Sequence, residues 1–512
     1  MSSILACALL ALQLAPHAAL QPGGARSQRP PSQRDVLASD VAEVRAAKHN
    51  ILPLPPAPAG PKPGNLALVG DTWTTIADGD RALHSDARLS PARIDAADAG
   101  GAAKAWSVRS HVTFDYAVVE APGLLDPAND NLLFGHLAAG SPERAAAART
   151  AQRRLVVIDE TVDDLYGSGV VDYMEARGVD YTVLRLPMVE EEKSMDLVLK
   201  VCDAMKKFDM PRRGSPVIGI GGGVCLDVVG LAASLFRRKS PYVRVPTTTL
   251  SYVDASIGAK SGVNFMGSKN RLGAYVPPVA ALLDRAFLAT EEPRAVASGV
   301  SEMMKMALMK SPRLFELLEA HAGRLVATRF QGDDAVPGEV LQLSIATMLE
   351  ELAPNLWESS LDRLVDFGHA FGQELEMHAL GTDVELTHGE AVNVDMAYMT
   401  VLAHTLGLVE RDEMLRILRS LDAFGCPIWH DMMTPDFVEH AYHERFQLSM
   451  GIRLPLPTGV GTAGVFNDVS VGDCLHALEL YKELCGPGSA SLADSGALRS
   501  LAAPPKVAVA SR

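Results

Sequence analysis

Three side chains in the second half of this 512-residue chain have the chemistry of a metal site. Glu302 lies in SGVSEMMKMAL, His369 in VDFGHAFG and His388 in LTHGEAVNVDMA, each a polar position in otherwise apolar, helix-like sequence. One carboxylate and two imidazoles suit a catalytic zinc ion, because three protein ligands leave a coordination position for substrate. The three are far apart in sequence, so the case rests on context. The HxxxH spacing of a metallopeptidase is absent, no GxSxG occurs, and no Cys/His acyl-transfer centre can be assembled. Lys305 follows Glu302 by three residues, close to one helical turn, so both can face one cleft. Lys260 and Lys269 can set positive charge beside a substrate phosphate, with Asn270 adding a directional amide. Asp366, three residues before His369, can orient a hydroxyl or pair with a lysine. Taken singly each lysine reads as a solvated loop charge. Their position beside glycine turns in an acidic protein is what points to an anion.

A second signal precedes these lysines. The apolar run VIGI at 217–220 reads as a buried parallel strand and leads into Gly221-Gly222-Gly223, then the helix-like VVGLAASLF. Glycines at the carboxyl end of a strand let backbone approach an anion, and the following helix offers unpaired N–H groups to phosphate. A tight turn is the alternative, since neither GxGxxG nor a Walker A motif is present.

The elements that must position these residues follow from composition and periodicity. A formal charge of −15 argues against a general nucleic-acid surface while leaving room for a local basic pocket. Cys7, Cys202, Cys225, Cys426, Cys474 and Cys485 have no CxxC spacing, so neither a disulfide framework nor a thiolate metal site is expected, and Cys225 reads as a small core residue. Residues 1–104 read as a targeting peptide plus linker. The apolar segment 4–15 is too short to span a bilayer, 52–64 is proline-rich, and 84–104 is expected to be a poorly packed helix or unstructured. A plastid is one destination, if residues 20–60 form a second targeting section; the cytoplasm is the other. No membrane association is expected of the mature form. Strand-like RLVVIDETV and VDYTVLRLP alternate with helix-like 165–176 and EEKSMDLVLKVCDAMKKF. The fold class is therefore an α/β, Rossmann-like N-terminal domain over 105–290, followed by a mostly α-helical C-terminal domain over 291–487 and a flexible tail at 488–512. The nucleotide, anion and metal signals would meet between them.

Several separate motifs, in order, carry a resemblance to a known family. GGGVCLDVVGLAAS, RVPTTTLSYVDASIGAKSGVNFMGSKNRLGAY, SGVSEMMKMAL, DFGHAFG and HGEAVNVDM resemble the sugar phosphate cyclases, the 3-dehydroquinate synthase-like superfamily, over about 105–487. VDASIGAKSGVN, ELAPNLWESSLDRLVDFGH and PLPTGVGTAGVFND place it nearest the sedoheptulose 7-phosphate cyclases that form 2-epi-5-epi-valiolone. The resemblance implies an NAD⁺- and Zn²⁺-dependent carbon–oxygen lyase, Co²⁺ being a substitute metal. Transient oxidation, phosphate elimination, reduction and aldol closure would build the carbocycle. It assigns Glu302, His369 and His388 to the metal, and Lys260, Lys269, Asn270, Lys305 and Asp366 to substrate and phosphate. Lys260, Lys305, Asp254 and Asp366 take the catalytic roles. Asp159, Glu190, Lys193, Gly222, Gly223, Asp227, Thr247, Thr248, Lys269 and Thr290 fall in the nucleotide region. Arg238 matches a position that reaches a phosphate in a neighbouring subunit, implying a homodimer.

The chain departs from the 3-dehydroquinate synthase pattern at Asp366, where asparagine is usual, and at Gln373, where a second histidine is usual. Both changes point away from a carboxylate-bearing substrate. GHAFGQ differs from the GHT-FSP usual in valiolone-type enzymes, and Asn393 in HGEAVNVDM is shared with desmethyl-4-deoxygadusol synthases. The alternatives are therefore desmethyl-4-deoxygadusol from the same substrate, 3-dehydroquinate synthesis, or a non-enzymatic NAD- or sugar-phosphate-binding protein. The last of these need not assemble Glu302, His369 and His388.

Overall fold

The computed structural model describes residues 66–69, 72–75, 92–98, 104–110, 113–449 and 451–489, with side chains from residue 113 to 447 and 451 to 489. The targeting segment 4–15, the linker 52–64 and residues 490–512 of the tail lie outside them. The chain divides into two compact units, Met1–Thr113 and Phe114–Arg512. In the first, β1 (Leu66–Val69) pairs antiparallel with β2 (Thr72–Thr75), and β3 (Ala92–Asp98) with β4 (Lys104–Ser110). Ala92–Asp98 was expected to be helical or unstructured. The alanine-rich composition suggested helix, but Gly100-Gly101 in the sequence between the strands disfavours one by about 1 kcal/mol each.

In the second unit, six parallel strands form one sheet: β5 (Ala117–Glu120), β6 (Arg153–Asp159), β7 (Asp180–Leu186), β8 (Val217–Gly221), β9 (Tyr242–Pro246) and β12 (Ala280–Leu283). Their order is β5-β12-β9-β8-β6-β7. LVVI and VIGI are continuous apolar runs because both sheet faces are covered. Val156 and Ile158 pack with Val170 and Tyr173 of α1 (Glu160–Ala176). Leu155 and Val157 face the other way, onto Leu197 and Val201 of α2 (Met195–Lys207) and Val228 of α3 (Gly223–Leu235). From β6 the chain turns to β7 on one side and returns to β8 on the other, so the direction of winding reverses between β6 and β8. Ligands of such sheets bind outside the carboxyl ends at this reversal. Asp159 ends β6 there, and Gly221 ends β8, with Gly222 and Gly223 opening α3.

Two local features depart from simple alternation. The 190–207 segment is not one helix but a 3-10 turn (Glu190–Glu192) and then α2, which leaves Lys193 in the bend. Lys260 and Lys269 lie on an antiparallel hairpin, β10 (Lys260–Phe265) with β11 (Ser268–Tyr275), beside a single π turn at Ser251–Ala255 that carries Asp254.

The helical half contains α4 (Pro293–Lys310), α5 (Pro312–Thr328), α6 (Val336–Leu352), α7 (Gly372–Ala379), α8 (His388–Thr405), α9 (Arg411–Asp422), α10 (Pro435–Ser449) and α11 (Val471–Cys485). A small hairpin, β13 (Leu454–Gly459) with β14 (Thr462–Phe466), interrupts it. α4 and α8 are buried along most of their length and form its centre. They meet at backbone distance. A Cβ on Gly389 would lie 2.0 Å from the Ser298 carbonyl oxygen, and the Gly389 N–H donates to Ser298 Oγ at 2.9 Å. Ser298 is one turn before Glu302 and His388 adjoins Gly389, so this contact sets the two side chains next to each other.

Candidate active site

Glu302 is fully buried in α4. His388 is the first residue of α8, fixed by the cap at Thr387, whose side chain accepts from Glu390 N–H while Glu390 accepts from Thr387 N–H. His369 lies in the loop between the 3-10 turn Leu364–Asp366 and α7. The two histidines are thus not inside helices, as their apolar surroundings suggested. They occupy a loop and a helix start, where a polar ring can turn inward without breaking a buried helix face. Gly368, at φ +75°, makes the turn before His369 possible; a Cβ there would sit 2.7 Å from Val392 Cγ1.

The three groups converge. Glu302 Oε1 is 3.6 Å from His369 Nε2 and 3.4 Å from His388 Nε2, and all three ligand atoms lie within 4.8 Å of one another. Each ring is oriented through its other nitrogen: His369 Nδ1 donates to the Phe367 carbonyl at 3.1 Å, and His388 Nδ1 to Glu376 Oε2 at 2.8 Å. Glu302 Oε1 is buried without a hydrogen bond. An orphaned carboxylate oxygen facing two oriented imidazoles fits a divalent cation of the zinc type.

The electrostatics agree. Burial, with Lys305 adding to it, pushes His369 down to about 3, so its ring is neutral, the form in which an imidazole binds a metal. Burial opposes ionisation of Glu302, yet Lys305 and the two histidines hold its carboxyl well below the usual range. Lys305 Nζ, 2.5 Å from Glu302 Oε2, is likewise kept charged against burial by Glu302 and Asp254. Asp254 is pushed upward by burial and by Glu302. Burial and Lys269 work against charge on His388, but Glu376 and Glu302 carry it to about 9. A cation among the three ligands would take the place of the proton these carboxylates draw to His388.

A connected set of polar groups leads from this centre to the carboxyl ends of the strands. Lys269 bonds to Glu376 and stands 4.0 Å from Glu190. Lys193 is buried between Asp227 (2.7 Å) and Asn270 Oδ1 (2.8 Å), and these contacts outweigh desolvation to keep it charged. Asn270 adopts φ +51°, its N–H held by Asn264 Oδ1 at 2.9 Å. Gly222 precedes α3 as its cap residue; a Cβ there would be 3.3 Å from Thr248 Cγ2. Thr248 bonds to Ser251, Thr247 Oγ1 is buried without a partner, and Thr290 lies 3.0 Å from Tyr166 Oη. Asp159 is occupied by backbone, accepting from Thr161, Val162 and Met188 N–H groups.

One expectation changes. Asp366 pairs with arginines, not a lysine. Arg363 (2.7 Å) and Arg445 (2.9 Å) overcome burial to bring its carboxyl down to about 2. Lys260 is half exposed and bonds to Glu358 at 2.8 Å, a residue that Arg363 and Tyr275 also contact. Arg238 is exposed and lies just past the end of α3 opposite Gly223, about 18 Å along a 13-residue helix. Its own chain's site does not include it. Asn393 donates to the Leu421 and Pro427 carbonyls and so ties α8 to the helical core. Cys225 is buried and its thiol is pushed up by burial, as a core residue's should be.

Sequence reasoning missed Glu376, Glu358, Arg363 and Arg445. Glu376 comes from α7, twelve residues before the His388 it contacts, and the loop between them hides that meeting from a helical-spacing search. Arg445 is 79 residues from Asp366 and gives no local signal.

Comparisons with known proteins extend this geometry. The family model for the N-terminal part of 3-dehydroquinate synthase matches residues 183–298, and that for the C-terminal part residues 299–445. A 2-epi-5-epi-valiolone synthase from Actinomyces sp is 43% identical over 390 residues, 75% of this chain and 99% of that protein. Another, from Streptomyces hygroscopicus subsp. jinggangensis (strain 5008), is 44% identical over 379 residues, 73% of this chain and 89% of that protein. A solved 2-epi-5-epi-valiolone synthase from the latter organism, with NAD⁺ and Zn²⁺ bound, matches with a TM-score of 0.67 at 42% identity, covering 74% of this chain and 99% of that one.

Proposed function

The chain belongs to the 3-dehydroquinate synthase family, and from that premise we propose that it converts sedoheptulose 7-phosphate into 2-epi-5-epi-valiolone and inorganic phosphate. The observation that carries the reading is the convergence of Glu302, His369 and His388 beside Lys305, joined through Lys269 and Lys193 to the carboxyl edge of the sheet. A protein that merely held NAD or a sugar phosphate would not need this ligand set.

Bound Zn²⁺, or Co²⁺ in its place, supplies a Lewis acid at a ring hydroxyl, and bound NAD⁺ a reversible hydride acceptor at the same carbon. Glu302, His369 and His388 hold the metal. Asp159, Glu190, Lys193, Gly222, Gly223, Asp227, Thr247, Thr248, Lys269 and Thr290 form the nucleotide region, where the open start of α3 and the unpartnered Thr247 hydroxyl suit a phosphate-bearing cofactor. Lys305, kept protonated between Glu302 and Asp254, offers its charge to the oxygen that loses its proton. Lys260, Lys269 and Asn270 surround the phosphate and stabilise it as it leaves. Asp366, ionised between two arginines, accepts hydrogen bonds and suits a hydroxyl where a substrate carboxylate would be repelled.

Arg238 supports a homodimer in which each subunit completes the other's phosphate site. The apolar segment 4–15 supports a targeting peptide, with a plastid as its destination if residues 20–60 are a second section. Among the described residues no helix is long and apolar enough to cross a membrane. Sequencing the amino terminus of the mature protein tests the targeting reading; a start at Met1 in a uniformly cytosolic pool overturns it.

Incubation with sedoheptulose 7-phosphate, NAD⁺ and Zn²⁺, followed by NMR identification of the carbocycle, tests the product. 2-Epi-5-epi-valiolone is expected. Desmethyl-4-deoxygadusol would overturn the product, and turnover confined to 3-deoxy-arabino-heptulosonate 7-phosphate would overturn the substrate as well.

A further inference from the structure

Glu376 is assigned no role by the sequence motifs, yet it touches both halves of the site. It is buried on α7, and its two oxygens are divided between two different functions. Oε2 accepts from Nδ1 of His388 at 2.8 Å; Oε1 accepts from Nζ of Lys269, which arrives on β11 from the α/β half. Lys269 Nζ and His388 Nδ1 are themselves 3.4 Å apart, so two donors crowd one carboxylate. We propose that Glu376 is a positioning residue for the metal centre: by accepting from His388 Nδ1 it fixes the ring with Nε2 towards Glu302, while its other oxygen balances the charge of Lys269.

The inference rests on the zinc reading above. The geometry leaves His388 little else to orient it. It is the first residue of its helix, and Glu302, on the far side of the ring, gives it no fixed hydrogen bond. His369, by contrast, takes its orientation from a backbone carbonyl two residues away and needs no side-chain partner. Loss of Glu376 should therefore weaken the metal through one imidazole and leave the other in place.

Removing Glu376 alone would strand a buried lysine charge beside the metal, so the test removes both partners. Zinc dissociation constants are measured by chelator competition on the full chain stripped of metal, with circular dichroism to verify folding. Lys269→Met keeps the acceptor and should stay within about threefold of the parent, whereas Lys269→Met/Glu376→Leu should bind zinc about tenfold to a hundredfold more weakly than Lys269→Met. Lys269→Met/Glu376→Gln, whose amide oxygen can still accept from Nδ1, should recover most of that loss. Equal zinc affinity in the leucine double variant and Lys269→Met, or no recovery with glutamine, overturns the inference. A parent chain that binds no zinc would instead overturn the metal reading on which it rests.

Discussion

At the residue scale, the account turns on side chains whose ionisation is set by neighbours rather than by exposure. If His369 is a ligand, His369→Ala should lose its near-stoichiometric zinc and release phosphate at least about a hundredfold more slowly. Retention of equimolar zinc in that variant, read by metal analysis, contradicts the ligand set. Asp366 gives a pH prediction. Its carboxyl lies at about 2 in the folded chain, below the roughly 3.9 of an unfolded aspartate. The pairing therefore stabilises above the unfolded value of about 4 and is lost as pH falls through 2; the shift corresponds to at most about 2.6 kcal/mol. Asp366→Asn should be less stable than the parent at pH 7 and should lose less stability between pH 5 and pH 2.5. Equal losses in urea unfolding across that interval contradict the role given to Arg363 and Arg445. The convergent Glu302, His369 and His388 and the nearby lysines were legible in the sequence because they interrupt apolar or glycine-rich runs. The arginines around Asp366 were not, since Arg445 comes from a helix 79 residues away and no short-range pattern encodes that meeting.

At the element scale, two backbone contacts carry the site. Gly389 lets α8 approach α4, and the start of α8 is tied down by Thr387 and Glu390. Gly389→Ala would place a methyl group against the Ser298 carbonyl, so it should cost about 1–3 kcal/mol of stability and weaken zinc binding, because the helices separate where Glu302 and His388 meet. Urea unfolding with zinc titration checks both; a variant as stable and as tight as the parent contradicts the packing argument. The strands LVVI and VIGI were readable because a parallel sheet covered on both faces leaves continuous apolar runs. The β10–β11 hairpin was not read, since Lys260, Ser261, Asn264, Ser268, Lys269 and Asn270 give it a polar, loop-like composition. Its side chains are chosen for the site they face rather than for strand propensity. The position of His369 was missed for the opposite reason: AFGQELEMHA continues so helix-like that the loop before it is hidden.

At the scale of the whole molecule, the carboxyl edge of the sheet carries the proposed nucleotide region and the helical half the proposed metal site, and Lys269 and Glu376 join them. Arg238 falls outside this arrangement, on the surface beyond the far end of α3. A homodimer in which it crosses to the partner predicts complementation: Arg238→Ala and His369→Ala, each nearly inactive, should regain activity on mixing, because one site of the mixed dimer has both groups intact. No recovery, with subunit exchange verified by sedimentation, contradicts that arrangement. The central claim is redox-neutral elimination and ring closure at one site. Its most direct measurement follows phosphate and NADH together while purified enzyme, loaded with Zn²⁺ and NAD⁺, consumes sedoheptulose 7-phosphate. Phosphate should appear in step with 2-epi-5-epi-valiolone while NADH stays at or below the enzyme concentration; NADH accumulating in step with substrate loss would make the protein a dehydrogenase and contradict the account.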